Sequence, residues 1–172
     1  MKLLPVDKPE LVNKVSEWLT DERNYRWLDF GSGGQALSPI AVKIMAQRQN
    51  QYLRVFTADE DDTPIGIVGL SNIKQDFKTG TAWIVLGEKR YSTKGYPLRA
   101  CWQVITDGFE KLGLNAVDAW AVSRNFSSLR VIEKLKFKPI GVQRRAHIIN
   151  GRPYDRMWFD LLASEHKELD HD

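Results

Sequence analysis

The chain has 172 residues, 42% hydrophobic and 27% charged, which are the proportions of a folded domain and exclude a disordered or fibrous chain. That length fits one domain with its own core, and 25 Lys and Arg against 22 Asp and Glu leave a net charge of only +3, too mild to argue for a polyanion partner. The single cysteine, Cys101, excludes an intrachain disulfide and a Cys-based zinc site, and it points to a reducing compartment. No apolar run reaches the ~18 residues of a membrane span, and the opening MKLLPVDKPE carries charges where a signal peptide needs an apolar stretch. The expectation is one domain over residues 1–172, cytoplasmic, with no membrane, nucleic-acid or metal partner.

In chain order, residues 2–6 leave room for a short opening strand. Leu11, Val12, Val15, Trp18 and Leu19 fall at the spacing of an amphipathic helix over 10–19. Phe30-Gly31-Ser32-Gly33-Gly34 favours neither helix nor strand and predicts a flexible loop. Ser38-Pro39 supplies the N-cap and first-turn proline of a second helix to about residue 49. The period then shortens. Residues 52–58 and 65–70 read as a hairpin around the acidic run Asp59-Glu60-Asp61-Asp62, expected to be a solvated turn, and a third strand follows at 81–86 after a polar loop at 74–80.

Pro97 opens the strongest helix, with Leu98, Cys101, Trp102, Ile105, Phe109 and Leu112 on one stripe and Gly113 as its left-handed terminator. A strand at 116–122, a helix after Asn125, and two last strands joined by Asn150-Gly151 complete the chain. Asn-Gly between strand-like runs is the signature of a type I′ hairpin. Residues 165–172 read as a frayed tail. The fold class is α/β (α+β): a mixed, mostly antiparallel sheet of six to seven strands with about four helices.

The chemistry concentrates between residues 86 and 97, where a polar turn rich in Lys89, Arg90 and Lys94 joins a strand to the N-terminus of the strongest helix. Backbone N–H groups and the helix dipole make such a junction an anion site, suited to a phosphate; a solvent-exposed basic turn is the plainer alternative. It is neither GxxxxGK[ST] nor GxGxxG.

Arg90-x-x-Thr93-x-Gly95 resembles the acyl-CoA pyrophosphate loop of the GNAT N-acetyltransferase superfamily, Gln/Arg-x-x-Gly-x-Gly/Ala, with Thr93 in place of one glycine. Asn125-Phe126-Ser127-Ser128 followed by Glu133-Lys134-Leu135-Lys136-Phe137 resembles the second family signature, Asn-x-x-Ser/Ala and then Glu-Lys-Leu-Gly-Phe, with Lys136 replacing the glycine. The ending Asn150-Gly151-Arg152-x-Tyr154-Asp155 is similar to the last hairpin of the ribosomal-protein N-acetyltransferase branch. The resemblance spans residues 53–166.

The resemblance implies a single GNAT domain that takes acetyl-CoA and moves its acetyl group to a primary amine of a small molecule or a protein N-terminus. It places Leu86 on the pantetheine arm; Arg90, Tyr91, Ser92, Thr93, Lys94, Gly95 and Tyr96 around the pyrophosphate; and Asn125 and Arg130 beside the CoA arm. Read as an isolated residue, Asn125 is equally an N-cap. The tyrosine acid of many family members falls on Ile132 and is missing. The branch pattern instead puts Ser128 forward as acid and, counting along the penultimate strand, His147 where the family has a glutamate base; an ordinary strand histidine is the alternative. Tyr154 is the fallback acid.

A two-residue turn at Asn150-Gly151 pairs Ile149 with Arg152, His147 with Tyr154, Arg145 with Arg156, and Gln143 with Trp158. Opposed arginines repel by up to ~1 kcal/mol, which hints at an anionic acceptor group between Arg145 and Arg156, although two solvated arginines satisfy the pattern as well. Trp27, Asp29 and Phe30, beside the glycine run, are candidates to line the acceptor pocket, or to plug the core beside a loop. A homodimer is an open option. A non-catalytic acyl-CoA-binding module of the same fold is the competing function. Nucleic-acid binding is disfavoured because no aromatic residues interleave with the basic patches.

Overall fold

A computed structural model describes residues 1–30 and 37–169. Its elements are β1 (Leu3–Pro5), α1 (Pro9–Thr20), α2 (Glu22–Tyr25), α3 (Pro39–Gln47), β2 (Tyr52–Thr57), β3 (Pro64–Lys74) and β4 (Thr79–Leu86). After a 3-10 turn at Lys89–Tyr91 come α4 (Tyr96–Glu110), β5 (Ala116–Val122), α5 (Phe126–Lys134), β6 (Lys138–Ile149) and β7 (Arg152–Leu162), then a last 3-10 turn at Ala163–Glu165.

The seven strands form one sheet in the order β1-β2-β3-β4-β5-β7-β6. Every neighbouring pair is antiparallel except β4 and β5, which run parallel. A parallel step needs a crossover, and α4 supplies it. Because side chains alternate across a strand, the sheet buries two separate faces. One carries Val55, Ile67 and Val85 against Val12, Val15 and Leu19 of α1 and Val42 of α3. The other carries Phe56, Val68, Leu70, Val117 and Ala119 against Ala100, Val104 and Ile105 of α4 and Ile132 of α5. Among the described residues, no helix is long and apolar enough to cross a membrane.

The helix stripes read from the sequence are the buried ones. Leu11, Val12, Val15, Trp18 and Leu19 all face inward from α1, and Ser38 caps α3 by accepting a hydrogen bond from the Ala41 N–H at 3.2 Å. α2 has no counterpart in the sequence reading: a single turn is too short to show a period, and only Asp21, which accepts from the Arg23 N–H at 2.9 Å, marks its start. β3 runs on to Lys74, past the expected end at residue 70, by way of a register shift between Ser71 and Lys74. The expected loop at 74–80 is therefore a short turn.

The acidic run is the exposed turn expected, and it is also paired: Asp59 with the Met1 amino group and with Arg99 at 2.8 Å, and Glu60 with Lys94 at 3.0 Å, both on the loop-and-helix unit that follows β4. Two expectations are corrected. The tail is not frayed through residue 169: the His166 ring packs on Trp102 and Phe109, the Trp102 indole donates to the Lys167 carbonyl at 2.8 Å, and Lys138 pairs with Glu165. Residues 170–172 lie outside the described residues, as does the glycine run.

The second correction is in the last hairpin. Asn150 and Gly151 take φ of 50° and 74°, as a type I′ turn requires, and Ile149↔Arg152 and His147↔Tyr154 pair as expected. Between His147 and Gln143 the register then shifts, so Arg156 faces Gln143 and Trp158 faces Gly141. Two extra residues on β6 bulge out, Arg145 takes φ of 55°, and its N–H bonds the Asp155 carboxylate at 2.8 Å. The Arg145–Arg156 pair does not exist, and with it goes the argument for an anionic acceptor.

Candidate active site

β4 and β5 pair only at Thr79↔Ala116, Gly80↔Val117 and Thr81↔Asp118. Past that point they part, and the strands open a wedge whose sides are residues 82–86 and 119–122. Backbone groups along such a wedge lack ladder partners and are open to an extended ligand. The 3-10 turn and α4 begin where β4 ends, and α5 begins where β5 ends, so both helix N-termini stand at the mouth.

The loop into α4 turns a row of unpaired backbone donors toward the helix start. Gly95 caps α4 at φ 72°, a left-handed conformation that a side chain would strain, and nothing lies within 4 Å of where its Cβ would be. The N–H groups of Thr93, Gly95, Tyr96 and Leu98 donate to no acceptor among the described residues, and the helix dipole adds partial positive charge there. Pro97 withholds one donor without disturbing the turn. Arg90 is exposed with its guanidinium 5.0 Å over the Tyr91 ring, and Tyr91 meets Tyr96 edge to face at 5.8 Å, which fixes the loop from beneath.

Lysine placement differs from the sequence expectation. Lys89, though exposed, bends back to donate to the Asn24 side-chain carbonyl and to the Leu86 carbonyl at 2.6 Å; partial desolvation of its ammonium holds its pKa below the ordinary lysine value. It is a strut between α2 and the end of β4. Lys94 stays at the surface but shares its charge with Glu60.

At the other N-terminus, Asn125 is the cap of α5: its side-chain oxygen accepts from the Ser128 N–H at 3.3 Å and from the Ser127 hydroxyl at 3.0 Å. Ser128 is half-buried in the first turn, Arg130 is exposed, and Ile132 is buried in the core beneath.

On the α1 side of the sheet, four residues singled out from the sequence converge. His147, 6% exposed, engages both ring nitrogens: Nδ1 accepts from Arg156 Nη2 at 3.1 Å and Nε at 3.3 Å, which leaves Nε2–H to donate to the Arg26 carbonyl at 2.7 Å. Arg156 continues to Asp29 at 2.7 Å and lies 4.3 Å over the Trp120 ring. Tyr154 sits half-buried opposite His147. The His147–Arg156–Asp29 chain ties the segment after α2 to the last hairpin. Neither imidazole nitrogen presents a free lone pair in this arrangement.

Phe30 packs edge to face on Trp83 at 5.3 Å, and the Trp27 ring lies under the Arg26 guanidinium at 4.8 Å. Residues that the sequence reading passed over complete this wall: Trp83 on β4, Asp118 and Trp120 on β5, Trp158 on β7. Strand alternation could have put Asp118, Trp120 and Val122 on one face. Their meeting with β7 depends on the β5–β7 register, which a sequence does not display.

The acetyltransferase (GNAT) domain profile matches residues 2–138. The chain is 27% identical over 169 residues, 95% of its length and 90% of the relative's, to YdaF of Bacillus subtilis (strain 168), provisionally named a ribosomal N-acetyltransferase. It is 30% identical over 132 residues, 77% of this chain and 71% of the relative, to the uncharacterized N-acetyltransferase p20 of Bacillus licheniformis. Among solved structures, a spermidine N-acetyltransferase SpeG mutant from Vibrio cholerae superposes with a TM-score of 0.79 at 17% identity over 95% of this chain and 94% of its own. The ribosomal-protein-S5-alanine acetyltransferase of Vibrio fischeri gives 0.75 at 21% identity over 97% and 94%; at these identities both attest the fold alone. With the family profile covering most of the chain and the parallel wedge in place, the protein belongs to the GNAT acetyltransferase family.

Proposed function

We propose that this GNAT enzyme transfers the acetyl group of acetyl-CoA to a primary amine of a small molecule or a protein N-terminus by direct attack on the thioester. The observation that carries the reading is the wedge between β4 and β5 with the Gly95 cradle at its mouth. A pyrophosphate fits the unpaired amides of Thr93, Gly95, Tyr96 and Leu98, with Arg90 as the mobile counter-charge. The pantetheine arm lies along β4 near Leu86, with Asn125 and Arg130 flanking it from α5.

In the transfer a nitrogen–carbon bond forms and the carbon–sulfur bond breaks, so the ammonium proton must leave before attack and the thiolate must gain a proton afterwards. Ser128 and Tyr154 are the hydroxyls proposed to protonate the thiolate. With His147 held at both nitrogens, a water at the wedge is assigned the amine proton, and His147 orients Arg156 and through it Asp29. Trp27, Phe30 and Arg156 line the acceptor side.

Ile132, buried where many relatives carry a tyrosine acid, favours the second reading, a module that binds acyl-CoA without turnover. Thiol release from acetyl-CoA over a panel of primary amines separates the two. Release with at least one amine is the expected result; calorimetric binding of CoA with no release from any amine or peptide N-terminus overturns the enzyme reading.

A further inference from the structure

Asp118 is the last residue of β5 still paired to β4, so it stands at the apex of the wedge, on the face that carries Thr81, Trp83 and Trp120. On its other side, β7 brings Asp160 directly opposite, and the next pair on that face is Trp120 with Trp158, ring centroids 6.3 Å apart. Like charges placed directly across a sheet repel. Burial pushes the Asp118 carboxyl above its ordinary value and Asp160 adds to this, against a hydrogen bond from the Thr81 side chain and the charge of Lys74.

Despite that hydrogen bond, Asp118 Oδ1 is wholly buried and accepts nothing. Along the opposite side of the wedge, Trp83 Nε1 is likewise buried and donates to nothing. An unmet buried polar atom costs about 1–3 kcal/mol. Such an atom calls for a partner from outside the chain, a water, an ion or a ligand. A cation suits a half-buried carboxylate whose inner oxygen is unpaired and which a second carboxylate faces, and indole faces beside it suit an alkylammonium.

We propose that Asp118 receives the ammonium group of the acceptor, with Asp160 as the second negative charge, making Asp118 an acceptor-binding residue of this enzyme. The inference rests on the acetyltransferase reading above and assigns that reaction a cationic amine held at the wedge apex, not an anionic acceptor.

The test compares wild type with Asp118→Asn, which keeps the shape and removes the charge, using the best amine of the thiol-release panel. The acceptor KM is expected to rise about tenfold or more with kcat changed far less, while acetyl-CoA affinity by calorimetry stays at the wild-type value. Asp160→Asn should raise the same KM by a smaller factor and serves if Asp118→Asn fails to fold. Acceptor KM values within about twofold of wild type in the folded variants, beside normal wild-type turnover, overturn the Asp118 assignment alone. A parallel loss of acetyl-CoA affinity assigns Asp118 a structural role and overturns it too. A wild-type chain that binds CoA and turns over no amine overturns both readings.

Discussion

At the scale of single residues, Arg156 is the hub of the cluster proposed to line the acceptor side. It reaches His147, Asp29 and the face of Trp120 at once, and a lysine has neither the fork nor the flat face for all three. Arg156→Lys should therefore raise the acceptor KM while leaving acetyl-CoA affinity unchanged, because none of its partners lies on the cofactor loop; steady-state kinetics beside calorimetry checks both halves. Gly95 gives the complementary result. Its Cβ space is open, so Gly95→Val acts through the φ of 72° and not through a clash within the protein. Holding valine there costs ~1–2 kcal/mol or more, and the relaxed loop no longer presents its amides together. Acetyl-CoA affinity should fall at least about tenfold, read by calorimetry.

α5 shows how much one element owes to its two ends. Asn125 caps its start, and Lys136 ends it in a left-handed conformation, φ 63°, that a glycine adopts without strain. Lys136→Gly should raise stability by ~1 kcal/mol, and Asn125→Ala should lower it by ~1 kcal/mol; urea melts measure both. Asn125→Asp keeps the cap, so a loss of acetyl-CoA affinity in that variant at unchanged stability separates a CoA contact from capping. The hairpin of β6 and β7 makes the opposite point about local signals. Asn150-Gly151 set the turn and the first pairs, yet the bulge near Arg145 moved the pairs from Gln143 to Gly141 by two residues, and a second shift at Pro139 moved the last ones by a third.

For the whole molecule, titration sets the range of stability. Hydrogen bonds from Arg99 and the N-terminus hold Asp59 well below the ordinary carboxylate value, and one from Arg23 lowers Asp21 to about 2. Since these carboxylates are more acidic folded than unfolded, their contribution is present above the unfolded value and is lost as pH falls through the folded one. Asp59 is exposed and Asp21 half-buried beside an exposed Arg23, so the acid loss below about pH 4 should be shallow and further weakened by salt. Burial pushes Cys101 up to about 12 from an ordinary 9.0, so above pH 9.0 the unfolded chain gives up that proton before the folded one and stability declines. Thermal melts across pH should show both limbs, and Cys101→Ala should flatten part of the alkaline one. The same burial predicts that Cys101 resists alkylation in the native protein and reacts in urea.

The motifs made the family legible, and turn chemistry and helix stripes the order of the elements apart from α2, because the Arg90 to Gly95 and Asn125 to Phe137 patterns and these signals are local in the chain. Pairing across strands is not local. Whether His147 is free or held, whether Arg145 opposes Arg156, and that Asp118 meets Asp160 all depend on where a strand shifts by two residues or which strand lies beside it. By itself the sequence determined the helix stripes and the turns, through short-range sterics and periodicity, and its motifs carried the family. Which charges face one another on the α1 side of the sheet was decided only by tertiary structure, where register and burial choose the neighbours.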